Sequence, residues 1–249
     1  MLGMPTHYLR SLSGQQRRAD LNLNLARYLT FVAGAANAGG FLAVQQYTSH
    51  MSGIVASIGD NLALGHHQLV LASLLALLSF LAGAACTAIM VNWAKRKQLH
   101  SLFALPLVLE SLLLIGFGLV GSSITTVMLL CFLMGLQNAL ITKISKTEIR
   151  TTHVTGIVTD IGIELGKLVY WNDPSLSQTE GMVLASTDKM RALFSLLSLF
   201  LLGGIVGAFG FQKVGALFTI PLAALLLVLA IVPVWDDITH SFTQPRKSP

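Results

Sequence analysis

Charge is scarce in this chain: Asp, Glu, Lys and Arg make up 11% of its 249 residues, against 53% hydrophobic residues. A soluble domain carries about 25% charged residues, so this chain lacks the polar surface to face water on every side. Lipid is the solvent that suits such a composition, and several windows supply the ~20 predominantly apolar residues a helix needs to cross it. Cysteine is scarce as well. Cys86 and Cys131 lie inside apolar segments without metal-type or redox-type spacing, and they read as small core residues outside any disulfide framework. Catalytic signatures are missing too: there is no His-Glu-x-x-His, Gly-x-Ser-x-Gly, P-loop or dinucleotide fingerprint. His66 and His67 stand together in a short connection, where a metal would bind only fortuitously. No motif calls for a cofactor.

The charge that is present is unevenly placed. The net charge of +5 comes from basic residues in the short connections between apolar runs. That is the orientation signal of a membrane protein and not a nucleic-acid footprint. Residues 1–24 are polar and basic and have no apolar core followed by a small-residue cleavage site, so they read as a cytoplasmic tail and not a signal peptide. Residues 237–249 read as a second cytoplasmic tail.

Six stretches read as membrane spans: roughly 25–44, 70–93, 102–120, 124–143, 190–212 and 215–235. Two more, 48–65 and 151–171, are long enough for helices but hold Ser, Thr, His and Asp where a lipid-facing helix would hold Leu. These two segments are related to each other. TSHMSGIVASIG from Thr48 and TTHVTGIVTDIG from Thr151 are identical at seven of twelve positions, His50/His153, Gly53/Gly156 and Gly59/Gly162 among them. The flanks repeat in the same order. FVAGAANA from Phe31 matches FLMGLQNA from Phe132, FLAG from Phe80 matches FLLG from Phe200, and FALPL from Phe103 matches FTIPL from Phe218. Apolar low complexity does not reproduce His and Gly at fixed spacing, so the chain reads as a duplication with halves at 25–121 and 124–236.

Charge placement then bears on topology. If all eight segments cross from a cytoplasmic N-terminus, the 16 Lys and Arg divide nine inside and seven outside. If the two polar segments enter and leave on one side, the division is fifteen to one, with Lys213 alone outside. The positive-inside rule favours the second arrangement. Each half then has three spans, and an odd number inserts the second half upside down. The expected fold is therefore all-α: six transmembrane helices plus two polar, re-entrant or broken helices in two inverted-topology repeats. The alternative is eight spans in parallel repeats. In inverted-repeat folds the interrupted segments form the site near the midplane, because irregular backbone is tolerated at that depth only inside protein or against a cavity.

The candidate site residues follow from that expectation. On a helix, His153, Asp160, Glu164 and Lys167 share one face, and His50, Ser57 and Asp60 or Asn61 form a similar stripe in the first half. Ionisable groups in membrane helices are costly and usually face a bundle interior or water. Asp60, Glu164 and Lys167 have a plainer reading as markers of helix ends at the interface. The hydroxyls that open each polar segment (Thr48, Ser52, Thr151, Thr155) stand where a helix N-terminus favours a capping group, an anion or a polar substrate group. Capping alone accounts for Thr48 and Thr151. Gly53, Gly156, Gly203 and Gly207 read as helix-packing positions. Asn37, Gln137 and Asn138 lie deep in the first span of each half, where an amide either binds substrate or bonds helix to helix. Glu110 has no counterpart in the other half, and a lone intramembrane carboxyl suits proton exchange during transport. The expected binding set is thus Asn37, His50, Ser52, Ser57, Gln137, Asn138, His153, Thr155 and Asp160, with Glu110, Asp60 and Glu164 as coupling groups.

At three stretches the chain resembles the YoaK-like family of bacterial integral membrane proteins, a family of unknown function. These are Ala33–Ala38 with the following Gly-Phe-Leu, SHMSG at Ser49–Gly53, and Gly135–Ala139 with RTTHVTGIVTDIG at Arg150–Gly162. The similar region covers about 25–235. The resemblance implies a bacterial cytoplasmic membrane and supplies no substrate. Members typically carry Asp where this chain has Asn37, and Asn where it has Ile54. The resulting expectation is a transporter or channel for a small polar or ionic solute, embedded in the lipid bilayer with both termini cytoplasmic. It would work alone or as a homodimer. A non-transporting scaffold or regulatory subunit is the alternative, and an intramembrane enzyme using His50, His153 and Glu110 is a third reading.

Overall fold

The repeated Phe-x-x-Pro-Leu marks two helix starts. Pro106 and Pro221 each fall in a first turn, where the missing proline N–H costs no hydrogen bond. In a computed structural model, which describes residues 3–14, 21–44, 47–120, 124–145, 151–172 and 182–243, every regular element is helical. The first part runs α1 (Gly3–Ser13), α2 (Asn22–Val44), α3 (Met51–Ala63), α4 (His67–Arg96) and α5 (Ala104–Val120). The second runs α6 (Ile124–Ser145), α7 (Val154–Val169), α8 (Thr187–Val214), a 3-10 turn (Gly215–Phe218) and α9 (Thr219–Thr243).

Three stretches among the described residues are long and apolar enough to cross a membrane: His67–Arg96, Thr126–Ser145 and Thr187–Thr239, the last covering α8, the turn and most of α9. Ala104–Leu119 is apolar but shorter. The 23-residue α2 carries Asn22, Asn24, Arg27 and Asn37 and is not among these stretches. At 1.5 Å per residue, the 30-residue α4 is about 45 Å long. The 13-residue α3 reaches only about 20 Å and the 16-residue α7 about 24 Å. Neither matches the ~30 Å hydrocarbon layer as a straight span.

The long helices pack across the two halves of the chain: α2 against α8, α4 against α6, and α5 against α9. The short helices pack within their own half, α3 on α4 and α7 on α8. Glycines bring the first two pairs into backbone contact. A methyl group added at Gly83 would overlap the Phe132 carbonyl, and one at Gly135 would overlap the Phe80 carbonyl. On the other side, Gly203 meets the Phe31 carbonyl and Gly34 the Phe200 carbonyl. These positions match between FVAGAANA and FLMGLQNA and between FLAG and FLLG, so the α4–α6 and α2–α8 interfaces use the same residue types in exchanged roles. Gly207 lies against Ala35, as expected of a packing glycine. Hydroxyls add bonds between helices: Thr87 donates to the Leu136 carbonyl at 2.9 Å and Thr219 to the Leu114 carbonyl at 2.7 Å. Both threonines are buried, so a lost partner would cost the desolvation of the other group as well.

Residues 1–24, read above as a tail, contain α1. It docks on α9 through the buried Leu12, a Ser13 bond to the Leu229 carbonyl at 2.6 Å, and a two-pronged Arg10–Asp236 ion pair. The neighbouring Asp237 accepts from the backbone N–H groups of His100 (2.6 Å) and Ser101 (2.8 Å), which ties the α4–α5 connection to the same end of α9.

Candidate functional site

The repeated motif starts a helix at the same place in each half. His50 and His153 are the N-cap residues of α3 and α7, with near-identical backbone angles (φ −91°, ψ 70° and φ −83°, ψ 60°), and neither caps its helix with a side-chain hydrogen bond. Thr48 and Thr151 stand too early to cap. Both are buried, and their hydroxyls have no partner among the described residues, which corrects the capping role expected of them. Gly53 is explained by its neighbour: a side chain there would strike the His50 imidazole, so the ring can lie over the first turn of α3. The constraint is local and not one of helix-to-helix packing.

Both helix starts open on one cleft of about 850 Å³. Asn37, His50, Ser52, Asn138, His153 and Thr155, all expected from sequence, line it together. Matched hydrogen bonds brace the two sides. Asn37 Oδ1 accepts from the Ser49 hydroxyl at 3.0 Å and from the Ser49 N–H at 3.2 Å. Asn138 Oδ1 accepts from the Thr152 hydroxyl at 2.6 Å. Each bond ties the segment leading into a short helix to the middle of a long one. Phe80 and Phe200 complete the matched lining, halfway along α4 and α8.

The sequence reading missed Tyr47, Ser49, Thr142, Thr152 and the two phenylalanines of this lining. Ser49/Thr152 and Phe80/Phe200 were visible as repeated positions, and repetition itself was the signal that could have found them. The remaining expected residues do not line the cleft. Ser57 faces Ser73 at 3.4 Å and accepts from Asn61 at 2.9 Å, joining α3 to α4. Gln137 is fully buried and donates to the Leu29 carbonyl at 3.1 Å, holding α6 to α2. Glu110 is buried in α5, which packs on α9 and α6, and its Oε2 has no partner among the described residues.

Asp60 is exposed on α3, and Asp160 lies 3.9 Å from the Lys189 ammonium. Glu164 anchors the far end of the short helix α7. It accepts from the Ser186 N–H at 2.8 Å and from Lys167 at 2.9 Å, with Lys189 at 3.5 Å. The Ser186 N–H first, and the Lys167 ammonium next, hold this carboxyl below the ordinary carboxylate range. Ser186 in turn caps α8 by accepting from the Lys189 N–H, so one carboxylate clasps the end of α7 to the start of α8. Among the described residues no three His, Cys, Asp or Glu side chains are grouped to hold a metal ion.

Fold and site define a class: an all-helical protein with helices fit to cross a membrane and a polar cleft between two related motifs. The chain belongs to the family described as protein of unknown function DUF1275, whose model matches residues 25–232, in line with its resemblance to the YoaK-like proteins. No curated protein and no solved structure matches it.

Proposed function

We propose that this protein is a transporter or channel for a small polar or ionic solute, with its site at the junction of two inverted repeats. The observation that carries the proposal is the convergence of both motif copies on one cleft, halfway along α4 and α8. In this reading α2, α4, α5, α6, α8 and α9 span, while α3 and α7 enter from opposite faces and end at mid-depth. Support comes from the exchanged packing of α2 with α8 and α4 with α6, and from the fifteen-to-one division of basic residues. Half-helices whose N-terminal ends meet near the midplane are how such folds hold a solute away from lipid. The polar stripe of α7 leads from His153 past Asp160 to Glu164, out to the ionic anchor at the other end of that helix. Both termini lie in the cytoplasm of a bacterium, and the membrane is the cytoplasmic one.

The test is solute flux in proteoliposomes with wild type, His50→Ala and His153→Ala, each checked for folding by its melting temperature. Reduced flux in both variants is expected. Unchanged flux in both would remove the site, and a change in stability alone would favour the scaffold reading.

A further inference from the structure

A second cavity, of about 430 Å³, lies between α1, α2 and α8 and shares no residue with the cleft. Its described lining is Tyr8, Asn24, Arg27, Tyr28, Phe31 and Leu199, with Arg27 as the charged group. Two bonds hold that guanidinium in place. Nη1 donates to Asn24 Oδ1 at 3.0 Å, and Nε donates to the Ser195 hydroxyl of α8 at 3.0 Å. Both acceptors are neutral, and of the five guanidinium N–H groups three are left over. Arg10, Lys167, Lys189 and Arg191 each pair with a carboxylate, whereas Arg27 has no such partner among the described residues. Helix packing alone does not call for this charge. Aligned through FVAGAANA with FLMGLQNA and FLAG with FLLG, Arg27 and Ser195 fall opposite Met128 and Leu75 of the α6–α4 pair.

The cavity is polar at one end and apolar at the other. The helices α2 and α8 run side by side in the same direction, with Arg27 beside Ser195, Gly34 beside Phe200 and Ala35 beside Gly207. Phe31 stands one turn beyond Arg27, and Leu199 one turn beyond Ser195. A ligand lying along the two helices therefore meets a guanidinium first and hydrocarbon next. At the polar end, burial first and the Tyr28 phenol next hold the Tyr8 phenol above its ordinary value, so it stays a neutral hydrogen-bonding group. Tyrosines of this kind suit the headgroup level of a bilayer. In the reading proposed above, α2 and α8 both enter the membrane from the cytoplasm. That puts Arg27 among the headgroups and Phe31 and Leu199 beside the first acyl carbons. Inorganic phosphate would use Arg27 and leave the apolar end unfilled. A zwitterionic headgroup would bring an ammonium for which the described lining has no carboxylate. We infer that this cavity binds an anionic phospholipid, with Arg27 bonded to its phosphodiester and Phe31 and Leu199 against its acyl chain. Such a site rests on α2 and α8 entering the membrane together and is independent of any solute in the cleft.

The test titrates the purified full chain in detergent with dioctanoyl phosphatidylglycerol or dioctanoyl phosphatidylcholine, with and without inorganic phosphate, and counts retained lipid by native mass spectrometry. One phosphatidylglycerol should be held about tenfold more tightly than phosphatidylcholine, and inorganic phosphate should not displace it. Arg27→Ala should lower the phosphatidylglycerol affinity about tenfold and leave phosphatidylcholine as it was. Arg96→Ala, at an exposed arginine that ends α4, should change neither and controls for general attraction to the basic chain. Equal retention of the two lipids, retention of neither, or displacement by inorganic phosphate overturns the inference. This wild-type comparison decides even if a variant fails to fold. Undiminished phosphatidylglycerol affinity in a folded Arg27→Ala, or an equal loss in Arg96→Ala, overturns it as well.

Discussion

A single methyl group should separate the glycines that join the helices from those that face outward. At Gly83 an added Cβ would overlap the Phe132 carbonyl, which belongs to the backbone of α6 and cannot rotate away as a side chain could. The two helices must move apart, and overpacking of this severity costs about 3 kcal/mol. Replacing glycine by alanine in a helix returns about 1 kcal/mol, leaving Gly83→Ala destabilised by about 2 kcal/mol. Gly203→Ala, against the Phe31 carbonyl, should lose a similar amount. For a chain of this size that is a fall in melting temperature of roughly 4–8 °C. Gly59 and Gly162, on the short helices, have nothing within 4 Å of an added Cβ. Alanine there should raise stability by about 1 kcal/mol, roughly 2–4 °C. Thermal unfolding of the four variants in detergent is the assay. If Gly83→Ala or Gly203→Ala melts at or above wild type, the close contact of α4 with α6 or of α2 with α8 is refuted.

Acid should loosen the α7–α8 junction through Glu164. Its carboxyl is held below the ordinary value of 4.5, so its stabilisation is complete above that pH and is lost as pH falls through the depressed folded value. Glu164→Gln should therefore melt below wild type at neutral pH, and the gap should close toward strong acid; a constant gap across the titration would refute the ion-pair role. Arg10→Ala should undock α1 from Asp236. An exposed pair of this kind is worth about 1 kcal/mol, so amide exchange over residues 3–13 should quicken about fivefold, read by mass spectrometry.

Much of the architecture was legible because apolar helices write themselves in composition, and each sequence-read segment has its helix within a few residues at either end, except that α9 runs eight residues past the expected end at 235. The likeness of the two motifs was legible because His50/His153 and Gly59/Gly162 recur at one spacing in sequence that is otherwise rich in Leu and Ala. What stayed hidden depended on partners far along the chain. The helix α1 is short and mildly polar, and Leu229 and Asp236, more than two hundred residues away, hold it in place. Phe80 and Phe200 read as ordinary apolar residues of a span, since their place beside the cleft depends on how α4 and α8 are rotated. Gln137 and Asn138 are adjacent in sequence yet separate in role, because a step of one residue turns the helix by about 100°. One amide meets α2 and the other the cleft.

The insertion of the two halves is tested most directly by the sidedness of the ends of the short helices. In a background with Cys86 and Cys131 replaced by serine, single cysteines at His66 and Tyr170 mark the turns just beyond α3 and α7. Intact cells are treated with a membrane-impermeant maleimide, and inverted membrane vesicles with the same reagent. Inverted repeats predict that the cysteine at 66 reacts only from outside and the one at 170 only from the cytoplasm. Labelling of both positions from the cytoplasm would mean that α3 and α7 cross in parallel repeats, contradicting a site formed by half-helices that meet from opposite faces.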